Sequence, residues 1–272
     1  MESAIATYRP SLSVLAGAIG LAVLYCLCTQ RYRSRFKASA PVTVPRQVAF
    51  YSGVALVLVA LATPLDTLAD KYLFTAHMLQ HLLLTLGVAP LLLAGTPAWL
   101  MREFLRVTRL TGFVRWAHHP LVAFFGFNLV FALAHVPAFY ELTLASEPLH
   151  AVEHLVFIAT AMLMWMPILS PATEISATYP ALGQVLYLFL QTVPASLVGA
   201  LLSATNSPYF PTYVLAPRIT ALSPIEDQQL GGLIMWVGGG LYFLIATGVV
   251  FFAWARREEA ANRRPGVTQG VS

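Results

Sequence analysis

Residues 73–95 read LFTAHMLQHLLLTLGVAPLLLAG, a run of 23 residues without Asp, Glu, Lys or Arg. About 20 mostly apolar residues suffice for a helix to cross the hydrocarbon core of a bilayer, so this run predicts a transmembrane helix. The rest of the chain agrees, because 58% of its 272 residues are hydrophobic and only 10% are charged, against about 25% charged in soluble domains. The sequence therefore predicts an integral membrane protein.

Apolar runs of this kind recur along the chain and predict an all-α fold, a polytopic bundle of seven transmembrane helices. No polar block is long enough to form a separate soluble domain, so residues 1–272 are interpreted as a single integral membrane domain. The predicted spans are Leu12–Thr29, Val48–Pro64, Leu73–Gly95, Pro120–Val136, Leu149–Leu169, Gln184–Ser203 and Leu230–Ala255.

Basic residues predict how this bundle is oriented. Of the 16 lysines and arginines, 13 lie in the first connection, the third connection and the C-terminal tail, whereas Arg9, Lys71 and Arg218 are scattered over the opposite side. The positive-inside rule then places the N-terminus outside and the C-terminus in the cytoplasm. The same rule accounts for the net charge of +4, so the lipid bilayer is an expected partner and nucleic acid is not.

Five histidines fall near the predicted outer ends of three helices. His77 and His81 begin the third span, His135 ends the fourth, and His150 and His154 begin the fifth. Residues four apart lie on one face of a helix, so each of the two pairs presents both rings in one direction. Imidazole suits copper, zinc, iron and nickel, and ionisable groups are rare and costly in a bilayer. This pattern favours a metal site over isolated interhelical hydrogen bonds.

Carboxylates accompany the histidines at the same predicted face. Ser223, Pro224 and Glu226 are typical of a capped helix start, and Asp227 follows in the first turn of the seventh helix. Asp227 is interpreted in two ways, as a group that complements the helix dipole or as a carboxylate that joins or orients the histidine layer. Glu153, three residues after His150, is a candidate to orient a metal ligand.

Ligand-type residues are nearly missing from the cytoplasmic halves of the predicted spans. A pathway across the whole membrane needs polar groups at intervals through its full thickness. The pattern therefore favours a protein that holds or hands over a ligand rather than a pore. No phosphate-binding loop, nucleophile elbow or other acid–base set stands out, so we expect no enzymatic activity.

Three groups of residues resemble the signatures of a known family. The first is HMLQH at 77–81 with PLL at 90–92, the second is HVP at 135–137 with EH at 153–154, and the third is DQQLGG at 227–232. In this order they resemble the polytopic CtaG family, the cytochrome c oxidase assembly factors of the caa(3) type.

The resemblance covers roughly residues 45–255 and implies a role in assembling haem–copper cytochrome c oxidase in the bacterial plasma (inner) membrane. It also implies oxidase subunits as partners. The positions of this sequence that match the family signatures as metal-site residues are His77, His81, His135, His150, His154 and Asp227.

The leading hypothesis is a non-enzymatic assembly factor, a copper chaperone that delivers its ion to the oxidase copper centre. Its ligands would be His77, His81, His150 and His154, with His135 and Asp227 as auxiliary groups. The alternatives are a haem-binding electron carrier or reductase, because two histidines from two helices also ligate haem, and a metal transporter. The metal, its redox state, the number of sites and the oligomeric state stay open at this point.

Overall fold

The regular secondary structure of the described residues is helical, as expected of segments that must satisfy their own backbone hydrogen bonds in lipid. The structure is a computed structural model that describes residues 8, 10–173 and 179–263, so Arg9 and Arg264 of the orientation argument lie outside the described residues. Its helices are α1 (Leu12–Arg31), α2 (Val44–Leu61), α3 (Pro64–Lys71), α4 (Phe74–Gly95), α5 (Ala98–Thr108), α6 (Thr111–Ala117), α7 (Pro120–Ala134), α8 (Pro137–Leu144), α9 (Glu147–Leu169), α10 (Ala181–Ala204), α11 (Pro211–Leu215) and α12 (Pro224–Asn262).

Six of these helices are long and apolar enough to cross a membrane, namely α1, α2, α4, α9, α10 and α12. The prediction of a polytopic all-α membrane protein is thereby confirmed. The predicted fourth span differs, because α7 has only 15 residues and meets α6 at an angle of 87°. Pro120 opens α7 and cannot continue the helix that precedes it. The bundle therefore has seven spans only if this bent pair counts as one.

Helix caps explain two further differences from the predicted boundaries. The predicted second span runs to Pro64, but α2 ends at Leu61, and the Thr63 side chain accepts a hydrogen bond from the next helix, α3. The last span begins at Pro224 rather than Leu230, because Ser223 and the third residue of the helix form a complete capping box.

Short helices between the spans are the elements that hydropathy missed. α3, α5, α6, α8 and α11 are 5 to 11 residues long. Such segments are too short and too mixed in composition to give the long apolar run that marks a span. Three of them, α3, α8 and α11, surround the end of the bundle at which α4, α9 and α12 begin, called the histidine end below.

α4 lies at the centre of the bundle. In its most apolar window 67% of the residues are buried, against 17–39% in the other spans. Close packing with α12 contributes, because a Cβ atom on Gly231 would lie 2.5 Å from the Phe74 ring. One helical turn of α12 also touches α10, where a Cβ on Gly232 would lie 2.7 Å from the Gly199 carbonyl oxygen. The central position of α4 directs its polar side chains into the protein instead of lipid.

Candidate metal centre

Two helices present their histidines to each other at matching depths. α4 and α9 both begin at the histidine end, and each carries histidines at its fourth and eighth residues. Along each helix the ring centroids are 4.3 Å apart for His77 and His81, and 4.2 Å apart for His150 and His154. Between the helices His77 lies 5.4 Å from His150, and His81 lies 5.6 Å from His154. These four residues, the histidine quartet, form one compact group.

The histidine quartet is enclosed by protein. Its members are between 1% and 7% exposed, and Phe157 covers His81 at a ring distance of 4.6 Å. Polar groups buried in this way cost free energy unless they find partners. The hydrogen bonds of each ring therefore indicate which of its nitrogens is free to bind a ligand.

Tyr213 of α11 determines which nitrogen of His77 carries the proton. The Tyr213 hydroxyl lies 2.7 Å from the Ala69 carbonyl oxygen, which only accepts, so the hydroxyl donates its one proton there. Its oxygen therefore accepts from the Tyr140 hydroxyl at 2.8 Å and from His77 Nδ1 at 3.2 Å. With the proton on Nδ1, the opposite nitrogen, His77 Nε2, carries a lone pair. This nitrogen is buried without a hydrogen-bond partner among the described residues, and it is ready to ligate a metal.

The deeper rings are also short of partners. Both nitrogens of His81, and Nε2 of His154, are buried and find no hydrogen bond within the part of the chain that the structure describes. Leaving such a group unsatisfied costs about 1–3 kcal/mol. A set of inward-facing nitrogens with this cost fits a cation better than it fits a hydrogen-bonded core.

Asp70 is a member of the site that the sequence analysis missed. It lies in the last turn of α3, and its Oδ1 is 3.2 Å from His150 Nε2, while Glu153 Oε2 faces the other ring nitrogen at 3.3 Å. Ligand atoms of Asp70, His77 and His150 all lie within 4.8 Å of one another. Tetrahedral ligands at about 2.1 Å from a metal are about 3.4 Å apart, so binding needs a contraction on the order of 1 Å. Its position shortly before the third span was the only sequence signal.

α3 carries a second acidic residue one turn earlier. Asp66 Oδ1 accepts a hydrogen bond from Gln80 Nε2 at 2.8 Å, and the same amide donates to the Ala60 carbonyl oxygen. Burial raises the pKa of Asp66 to about 6, with the nearby Asp70 carboxylate adding to the rise. The Asp70 side chain is 29% exposed, against 9% for His150. Asp70 is therefore the more exposed partner in this contact, although its Oδ1, which faces His150, is itself buried.

Asp227 does not join the histidine quartet. Its two carboxylate oxygens accept hydrogen bonds from the backbone N–H groups of Phe74 at 2.7 Å and Thr75 at 3.1 Å. These are the first two residues of α4, and Leu73 at the cap position supplies no side-chain cap. Asp227 thus caps α4 from another helix and positions its histidines. The sequence suggested that Asp227 complements the dipole of its own helix or joins the histidine layer. In the structure its carboxylate accepts hydrogen bonds at a helix N-terminus, but the helix is α4 and not α12.

His135 also stands apart from the histidine quartet. It ends α7, where its Nδ1 lies 2.7 Å from the Phe131 carbonyl oxygen. Its Nε2 lies 3.4 Å from the sulfur of Met78, which neighbours His77 on α4. The fifth histidine therefore contacts the motif of α4 through a thioether and not through another imidazole.

An aromatic cover closes the histidine end. Phe210, which precedes α11, stacks on Phe74 with ring centroids 4.7 Å apart and contacts Tyr140 at 4.3 Å. Gln228 of α12 holds this segment by accepting a hydrogen bond from the Tyr209 N–H at 2.6 Å. Hydropathy gave no sign of this short segment, which helps to bury His77.

The family model described as cytochrome c oxidase caa3 assembly factor (Caa3_CtaG) matches residues 23–257. The chain belongs to the Caa3_CtaG family. The resemblance seen in the sequence is confirmed, and the matched region contains every residue of the site described above. Searches of curated proteins and of solved structures found no match.

The motifs of this Caa3_CtaG protein have separate structural tasks. HMLQH at 77–81 supplies two imidazoles and, through Gln80, the hydrogen bond to α3. EH at 153–154 supplies one imidazole and the carboxylate that faces His150. DQQ at 227–229 supplies the cap of α4 and two amides that hold the segment before α11. The carboxylate of the last motif is therefore engaged at the start of α4.

Proposed function

We propose that this protein assists the assembly of haem–copper cytochrome c oxidase by holding a copper ion in the histidine quartet and passing it to the oxidase copper centre. The observation that carries this proposal is the set of buried imidazole nitrogens without hydrogen-bond partners among the described residues. Two members of the histidine quartet, His77 and His150, also have ligand atoms within 4.8 Å of each other and of the Asp70 carboxylate. The family description, an assembly factor of cytochrome c oxidase, supports the assembly role.

The donor set favours a transition metal of copper type. Imidazole nitrogen is a borderline ligand that suits copper, zinc, iron and nickel, whereas calcium and magnesium prefer sites made of oxygen. Asp70 contributes one negative charge that partly offsets the cost of burying a cation. His77, with Nδ1 protonated by its contact to Tyr213, is oriented to ligate through Nε2.

Delivery within the membrane follows from where the ligands lie. The basic connections predict that the histidine end faces outward, so copper would reach the histidine quartet along the partly exposed Asp70. The oxidase subunit would dock laterally in the plasma membrane and receive the ion at a similar depth. This route needs no polar pathway through the other half of the bundle, where the spans are apolar.

Copper content of the detergent-purified protein tests this proposal. His77→Ala with His150→Ala should lower bound copper at least tenfold, and Asp70→Asn, which conserves side-chain size, should weaken binding without unfolding the protein. The matched control is His118→Ala with His119→Ala, two histidines between α6 and α7, and it should bind copper as the wild type does. Unchanged copper in the quartet variants would overturn the proposal.

The two alternatives are tested with the same preparation. A haem protein would show a strong Soret band in its absorption spectrum. A transporter would take up the metal into sealed vesicles, whereas a protein that hands over its ion would bind it without accumulation.

A further inference from the structure

His135 and Met78 face each other without a proton between them. The Phe131 carbonyl oxygen at 2.7 Å only accepts, so His135 Nδ1 donates its proton there. An uncharged imidazole has one such proton, and Nε2 is then left with a lone pair. Nε2 lies 3.4 Å from the Met78 sulfur, and a thioether sulfur has no proton to donate. Two electron-pair donors thus meet at a buried position.

The separation of these two atoms suits a shared cation. With metal distances of about 2.0 Å to nitrogen and about 2.3 Å to sulfur, atoms 3.4 Å apart subtend an angle of about 105° at the metal. This angle is close to that of a tetrahedral site. Met78 is fully buried and His135 is 8% exposed, so both donors are shielded from water.

A small cavity lies beside Met78 and is lined by a candidate third donor. Its volume is about 30 Å³, about that of one water molecule, and Met78, Phe131 and His81 are among its lining residues, whereas His135 is not. Both ring nitrogens of His81 are buried and lack a hydrogen-bond partner in the part of the chain described by the structure. His81 therefore belongs to the histidine quartet and also lines the cavity beside Met78.

We propose that His135 Nε2 and Met78 Sδ form a second metal site, selective for a soft monovalent cation, Cu(I), with His81 as the residue that links it to the histidine quartet. Thioether and imidazole ligands without a carboxylate select Cu(I) over harder divalent ions. The inference rests on the proposed function in naming copper as the ion. The ion moves between the two sites as Cu(I), so no electron transfer is needed.

The test measures Cu(I) bound under anaerobic conditions with ascorbate, together with X-ray absorption at the copper edge. Wild-type protein should show a sulfur scatterer at about 2.3 Å besides nitrogen. Met78→Leu should lose the sulfur signal and the second copper equivalent, and it should stay folded because the exchange nearly conserves volume. The matched control is Met164→Leu, a fully buried methionine of α9 that does not line the cavity, and it should keep both.

The outcomes separate this inference from the proposed function. If the wild type binds copper through nitrogen and oxygen alone, and Met78→Leu leaves the spectrum unchanged, the second site is refuted while copper binding by the histidine quartet stands. If the wild type binds no copper at all, both are refuted. His135→Gln should reproduce the loss seen with Met78→Leu, and a normal sulfur signal in that variant would also contradict the pairing.

Discussion

Removing the Asp227 carboxylate should unfold the protein more easily without removing a metal ligand. In Asp227→Ala the N–H groups of Phe74 and Thr75 lose their acceptors in a place where Asp227 itself is fully buried. Hydrogen bonds to a charged group contribute about 1.5–3 kcal/mol each, and the cost of burying the carboxylate offsets part of their sum. We therefore expect a loss of about 2–4 kcal/mol in the free energy of unfolding, which is roughly a 30- to 1,000-fold change in the folding equilibrium.

The assay is reversible unfolding in mixed micelles, followed by copper analysis of the folded fraction. Copper bound per folded molecule should match the wild type, because Asp227 supports α4 and does not face the histidine quartet. Glu258→Ala, an exposed acid near the other end of α12, should change the free energy of unfolding by less than about 0.5 kcal/mol. A variant of Asp227 with wild-type stability and no copper would refute the capping role and restore the ligand role.

Other substitutions test the surroundings of the site. Tyr213→Phe removes the hydroxyl that keeps the proton on His77 Nδ1, so copper affinity should fall about tenfold in a competition titration with a chelator. The thermal midpoint should fall as well, because the buried Ala69 carbonyl oxygen and Tyr140 hydroxyl lose their partner, at a cost of about 1–3 kcal/mol. Asp66→Asn should flatten the dependence of stability on pH, because the folded-state pKa of about 6 exceeds the ordinary value of 3.8. The wild type should lose stability as pH rises from about 3.8 to about 6, and a variant with the wild-type slope would contradict this. Gly232→Val places a side chain 2.7 Å from a backbone carbonyl oxygen of α10 and should cost about 1–3 kcal/mol in a thermal melt, whereas Gly238→Val meets open space and should cost less.

The edge of α3 that carries Asp70 bears on how a metal would reach the histidine quartet. The aromatic cover keeps water from His77, whereas Asp70 is partly exposed and touches His150. Under the proposed function, a metal that approached along this edge would meet a carboxylate first and exchange its water for imidazole afterwards. The cost of the unpartnered nitrogens would then be relieved on binding, which would drive the ion inward.

Local chemistry was enough to predict the membrane class and the two histidine pairs. A run of apolar residues must form a helix in lipid because only a helix satisfies its own backbone groups there. The spacing of His77 to His81, and of His150 to His154, places each pair on one face because the helical repeat is fixed at 3.6 residues per turn. Both conclusions depend on neighbours in the chain, and both could therefore be read without coordinates.

Contacts between distant segments needed the tertiary structure. The neighbouring sequence does not indicate which groups are contacted by Asp70, Tyr213 and Asp227. An acid or a phenol forms hydrogen bonds with whatever group the fold brings within about 3 Å of it. The partners of Asp227 lie about 150 residues away in the chain, at the start of α4. From the sequence, Asp227 could join the histidine layer or complement a helix dipole. Only the packing of α12 against α4 shows that its carboxylate caps α4, the helix that carries His77 and His81.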